Sequence, residues 1–176
     1  WPVSIIADAE EIIFISDEQL NRVSSFDADG EFIACWGEQG SGEGQLDGPS
    51  GMSFDLDGNI LVVDTMNHRV QKFTRDGEFI LAFGRAGTGP GQFQRAAGMA
   101  WHLGRIYIAD ASNGRVQIFA DDGTFIEVLG AADGPLRFRF PYDVAIGPDD
   151  SLFVIEWGAG RVCRTTSTVW QDICRA

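Results

Sequence analysis

The chain has 176 residues, 44% of them hydrophobic, and a formal net charge of −13 with a single lysine, Lys72. A chain of this size is expected to form one domain, and its acidity, without clustered Lys and Arg, argues against a nucleic-acid partner. It contains neither an apolar run of about 18 residues nor a charged-then-apolar leader, so a membrane partner is not expected and a soluble module, cytoplasmic or secreted, is.

The dominant signal is internal repetition. An acidic residue followed five positions later by Arg-Val occurs four times: Asp17 with Arg22, Asp64 with Arg69, Asp110 with Arg115, and Glu156 with Arg161. Both series step by 47, 46 and 46 residues, too regular for accident and too short for each unit to be a domain. One unit therefore builds the chain, in repeats of approximately 1–46, 47–92, 93–138 and 139–176.

The first unit begins at an inner strand, since Pro2 stands where Pro49 stands in the second, and its second turn reads Glu18-Gln19-Leu20-Asn21. The second unit predicts four strands: Gly51–Phe54, Ile60–Asp64 after the turn Asp57-Gly58-Asn59, Arg69–Phe73, and Phe79–Gly84 after Asp76-Gly77. Asp-Gly between apolar runs signals a hairpin because Gly accepts positive φ and Asp tolerates it, and the pair recurs at Asp29-Gly30 and Asp122-Gly123. The glycine-rich Gly40–Gly44 and Gly87–Gly91 join one unit to the next with no helix following, which marks them as connectors and not phosphate loops. In the fourth unit the turn becomes Trp157-Gly158-Ala159-Gly160, and beyond Thr165 only Val169–Cys174 suits an outer strand. No window holds a 3.6-residue apolar period, so the chain is all-β. Four-stranded meanders repeating at this length must stack on one another, which predicts a β-propeller of about four blades per chain.

The segments Pro49-Ser50-Gly51, Asp57-Gly58-Asn59, Val63–Phe73, Asp76-Gly77-Glu78-Phe79 and Gly91-Gln92-Phe93 together resemble the NHL repeat. The resemblance runs through nearly the whole chain. It implies rings of about six blades that mostly bind partners, and hence a non-catalytic binding or scaffold module. Four blades fall short of such a ring, so a partial or half ring is expected: either a segment cut from a longer propeller or, as the favoured expectation, half of a ring that self-association of two copies closes, the other partner being an unidentified protein or small molecule. The alternative is a metal-dependent lyase or lactonase propeller with Asp143, Asp110 and Glu156 as ligands.

Strands of alternating direction put the inter-unit connectors and the second turn of each unit on one face, which has the longer loops and is where binding is expected. The repeated Asp17, Asp64, Asp110 and Glu156, with Arg22, Arg69, Arg115 and Arg161, suit a structural role, an acid capping its own turn and pairing with the Arg. Residues that break the repeat are the better binding candidates: Tyr142 and Asp143 where other units have Ser50-Gly51 and Ala97-Gly98, Trp157 where others have Thr65 and Ala111, and Arg95 and His68 on the same face. No cofactor or metal is expected: Asp55–Asn59 faintly suggests a calcium loop but Met66 stands where its bidentate Glu belongs, and His68 and His102 are the only histidines. Cys163 and Cys174 correspond to Gln71 and Ala82, which flank a hairpin turn symmetrically, so a disulfide between them is a geometric possibility; Cys35 stands apart.

Overall fold

The computed structural model describes residues 1–130 and 138–165. Three complete antiparallel meanders follow one another: β1 (Pro2–Ala7), β2 (Ile13–Asp17), β3 (Arg22–Phe26) and β4 (Phe32–Trp36) form blade 1; β5 (Pro49–Phe54), β6 (Ile60–Asp64), β7 (Arg69–Phe73) and β8 (Phe79–Phe83) form blade 2. After a short parallel pair, β9 (Arg85–Ala86) with β10 (Gln92–Phe93), blade 3 comprises β11 (Ala96–His102), β12 (Arg105–Asp110), β13 (Arg115–Ala120) and β14 (Phe125–Leu129). Blade 4 contributes β15 (Pro141–Ile146), β16 (Leu152–Glu156) and β17 (Arg161–Thr165) among the described residues; the expected outer strand at Val169–Cys174 lies outside them. The chain is thus an all-β propeller of four blades whose first strands lie innermost, β1 against β5, β5 against β11, and β11 against β15.

The β2–β3 and equivalent hairpins place each repeated acid directly opposite its Arg: Asp17 with Arg22, Asp64 with Arg69, Asp110 with Arg115, Glu156 with Arg161. Asp-Gly turns work as the sequence implies, with Gly77 at φ 86° and Gly123 at φ 83°. Two features were not legible in the sequence: the β9–β10 pair inside a glycine-rich connector, and single 3-10 turns at Ala111–Asn113 and Trp157–Ala159.

The core lies between blades. Leu61, Val63 and Val70 of blade 2 pack with Ile106, Ile108 and Phe119 of blade 3, while Ile60, Val62 and Phe73 turn the other way onto Phe14 and Val23 of blade 1. A strand sandwiched between neighbours is buried on both faces, which is why β6 is apolar at Ile60-Leu61-Val62-Val63 without alternation. Each fully buried side chain of this size contributes about 1.5–3 kcal/mol, so stacking, and not any single blade, holds the fold. Terminal blades show the converse: in β2 only Phe14 and Ser16, and in β16 only Leu152, Val154 and Glu156, are buried.

Candidate functional site

The repeated acids anchor the connectors. Asp64 Oδ1 accepts the Asp47 N–H at 2.7 Å, and its Oδ2 accepts Asn67 Nδ2 at 2.9 Å, Arg69 Nε at 2.8 Å and Gln71 Nε2 at 3.2 Å. Arg69 continues to the carbonyls of Gly42 and Gln45, so the carboxylate, the guanidinium and the incoming glycine-rich connector form one network. Blade 3 repeats it with Asp110, Asn113, Arg115 and Gln117, Arg115 donating to the carbonyls of Thr88, Gly89 and Gln92. In blade 4 Glu156 accepts the Arg139 N–H at 2.5 Å, Arg161 Nε at 2.8 Å and the Cys163 thiol at 2.8 Å. Burial opposes ionisation of Glu156, but these donors more than offset it and hold its pKa below the usual carboxylate range. Blade 1 differs: Asp17 accepts the N–H groups of Gln19 and Leu20 in its own turn, while Arg22 reaches Cys35 Sγ at 3.9 Å and leaves its buried Nε without a hydrogen-bond partner among the described residues.

The inner strands meet closely around the axis. A Cβ on Gly51 would lie 2.6 Å from the Ala97 carbonyl oxygen, and one on Gly98 would lie 2.5 Å from Asp143 Cα, so only glycine fits at either position. Ser50 Oγ donates to the Ala97 carbonyl at 2.9 Å, and Thr65 Oγ1 to the Ala96 carbonyl at 2.9 Å, tying blade 2 to blade 3 at this level. Between the strands is a small channel of about 50 Å³ lined in part by Ser4, Ser50, Tyr142 and Asp143. Above it, on the face of the connectors and second turns, opens a cavity of about 370 Å³ to which all four blades contribute, among them Glu18, Ser50, Met66, Arg95 and Tyr142.

The five binding candidates are not all brought together. Tyr142 lies at the junction of channel and cavity and lines both; Asp143 is in the channel and Arg95 in the cavity wall. Asp143 keeps an open edge toward the axis, but its carboxyl stands over Gly98 and receives only the Val144 N–H, at 2.8 Å; loss of water there raises its pKa, with that one hydrogen bond opposing. Arg95 adopts φ 59° where Gly48 takes φ 61° in the preceding blade, a conformation that a non-glycine residue holds at some cost. Trp157, 73% exposed, lies beside Phe140 on the rim of blade 4, with ring centroids 5.6 Å apart, and His68 sits in the second turn of blade 2 at φ 57° with its buried Nδ1 unpartnered among the described residues. Neither lines the channel or the cavity. Sequence reasoning missed Glu18 and Met66 as lining residues; their turns were placed on this face, but nothing in their identity says that they point toward the axis.

Of the alternative metal ligands, Asp110 and Glu156 have their carboxylates engaged by the donors described above. Among the described residues no group of three His, Cys, Asp or Glu side chains is placed to hold a metal ion. Cys174 lies outside the described residues; the counterparts of the Cys163–Cys174 pair, Gln71 and Ala82, are directly opposed across β7 and β8.

Residues 46–73 match the family model of the NHL repeat. Over 53 residues, 30% of this chain and 5% of the relative, the sequence is 38% identical to RING finger protein nhl-1 of Caenorhabditis elegans. Among solved structures, a catalytically inactive virginiamycin B lyase from Staphylococcus aureus with quinupristin is similar over 97% of this chain and 54% of its own, with TM-score 0.73 and 18% identity. A nidogen/laminin complex is similar over 98% of this chain and 62% of the other, with TM-score 0.73 and 17% identity. Hydrazine synthase from Kuenenia stuttgartiensis gives 98%, 49%, 0.73 and 15% in the same order. At these identities the likeness is one of fold, and the chain spans between 49% and 62% of the length of these three structures.

Proposed function

The chain is an NHL-repeat β-propeller, and from that premise we propose that it is a non-catalytic binding module that takes a protein or small-molecule partner through the cavity on its connector face, its ring being completed by a second copy. The observation that carries this reading is the division of labour among its polar residues. The repeated acids and arginines of blades 2, 3 and 4 spend their hydrogen bonds inside the scaffold, whereas Tyr142, Asp143 and Arg95, which depart from the repeat, line the channel and cavity at the axis. An aromatic ring beside a cavity of this volume, with one cationic and one partly shielded anionic group, supplies an apolar anchor and orienting charges. The nidogen/laminin complex among the similar folds is compatible with such a role.

A thermal-shift screen of peptides and small metabolites, run in parallel on the chain and on Tyr142→Ala, tests it. Ligands that stabilise the chain and fail to stabilise the variant are expected. Ligands that stabilise both equally would place binding elsewhere.

A further inference from the structure

The seam between blades 1 and 2 lacks side chains that the next two seams have. One directly opposed pair on the third and fourth strands of each blade faces the following blade. In blade 2 it is Lys72 with Leu81, and in blade 3 it is Ile118 with Glu127. In blade 1 the same pair is Ser25 with Ala34. Where a lysine stem and an isobutyl group stand one blade later, this seam holds a cavity of about 400 Å³, walled in part by Ile12, Phe14, Ala34 and Trp36. The Ser25 hydroxyl already donates to the Ala34 carbonyl at 3.3 Å, so it adds little polarity to that wall.

The walls are held in place by the fold. Trp36 stacks on Phe73 with ring centroids 4.6 Å apart, and a Cβ on Gly77 would lie 2.3 Å from Trp36 Cγ, so the indole is pinned against the third turn of blade 2. Phe14 is buried and meets Phe54 edge-on at 5.7 Å. A preformed apolar slot pays little ordering entropy when it is filled.

The ions of the seam have changed sides. Between blades 2 and 3 the cation is Lys72, which bonds Asp55 at 2.6 Å and Asp121 at 2.8 Å. The corresponding positions one blade earlier are Ser25, Asp8 and Arg75, and Arg75 reaches back from blade 2 to bond Asp8 and, at 3.4 Å, Glu10. The ion pair is therefore kept, while the space of the lysine stem stays open. Glu10 and Asp76 lie at the cavity as well; the Glu10 side chain is 74% exposed, and the Asp76 carboxylate has no hydrogen-bond or ion-pair partner among the described residues. With Asp8 they set three carboxylates against one guanidinium, a field that favours a cation.

We propose that this cavity binds a small primary aliphatic amine, its hydrocarbon chain in the slot left by Ser25 and Ala34 and its ammonium beside Glu10 and Asp76. The site opens by the first turn of blade 1 and the third turn of blade 2, on the face opposite the connectors, and does not depend on the connector-face cavity.

Isothermal titration of the 176-residue chain with n-pentylamine, protonated at pH 7, tests it, with pentanoate as the anionic match. Saturable one-to-one binding of the amine, with a dissociation constant on the order of millimolar, and none of pentanoate is expected. Ser25→Lys with Ala34→Leu rebuilds the wall of blade 2 and should weaken the amine roughly tenfold or more, since the slot is then filled; circular dichroism verifies the fold. Glu10→Gln with Asp76→Asn, both on turns, leaves the slot open and should weaken the amine roughly fivefold. Tyr142→Ala should leave the amine affinity unchanged, which separates this site from the connector-face cavity. An amine that binds the rebuilt wall as tightly as the original, or fails to bind the original, would overturn the site. Pentanoate binding as tightly as the amine, or an amine indifferent to loss of both carboxylates, would overturn a cationic ligand.

Discussion

Arg69 holds the buried Asp64 carboxylate through Nε at 2.8 Å while its Nη2 grips the Gly42 and Gln45 carbonyls of the connector. One ion pair thereby closes the second turn of a blade and fixes the polypeptide entering that blade. Arg115 does the same from Asp110, with its side chain nearly buried. Removing one partner of such a pair leaves an uncompensated charge, so Asp110→Ala should destabilise the protein by about 3–5 kcal/mol, read as a fall in Tm on the order of 10 °C. Glu156→Ala should cost less, because Arg161 is more exposed and water can take over its solvation.

Lys72 is nearly buried between Asp55 and Asp121. Burial disfavours its charge, but its bonds to both carboxylates prevail and raise its pKa; burial likewise opposes ionisation of Asp55, and the donors Lys72 and Asn59 prevail and lower its pKa. The Asp55 contribution is therefore present above the unfolded carboxyl value of about 3.9 and lost as pH falls through the depressed folded pKa. The Lys72 contribution is present below about 10.4 and lost as pH rises through the raised one. Chemical denaturation across pH should show both losses, and Lys72→Met should reduce the alkaline one, Tyr107, whose pKa burial raises, keeping its own share.

Asp143 behaves oppositely to Asp55. With its folded pKa raised by desolvation, its stabilising share is complete below about 3.9 and disappears as pH rises through the folded value. Asp143→Asn should therefore raise Tm at pH 7, by a margin that vanishes toward pH 4. At the same time it should weaken any ligand that places a cation in the channel. Equal melting of the two proteins at pH 7 would show the carboxylate to be fully solvated.

His68 occupies a left-handed turn position, φ 57°, whose counterparts in blades 3 and 4 are Gly114 and Gly160. His68→Gly relieves that conformation and removes the unpartnered buried Nδ1, so a gain of about 1 kcal/mol is expected in denaturant unfolding. A loss would mean that the imidazole makes a contact worth more than the strain.

The blades were legible because their signals are local. An Asp-Gly turn, a β-branched run and a recurring Arg-Val each act within a few residues, and the strands β6 and β7 fall where the second unit predicts them. The site was only partly legible because it depends on which side chains point at the axis. That is set by packing between blades: Gly51 and Gly98 let the inner strands approach closely, and a register shift recurs at the entry of every inner strand, between Pro141 and Asp143 in blade 4. Tyr142 and Asp143 stood out as departures from the repeat, whereas Glu18 and Met66 did not, since turns vary freely in every blade. Trp157 stood out for the same reason as Tyr142, yet the structure sets it on the rim beside Phe140.

The central proposal is that a second copy of this chain completes the ring. The most direct test is the absolute mass of the chain by light scattering after size exclusion, at concentrations spanning two decades. The account predicts 38.4 kDa, twice 19.2 kDa, falling toward the single-chain value only on dilution. A constant 19.2 kDa at every concentration would contradict it.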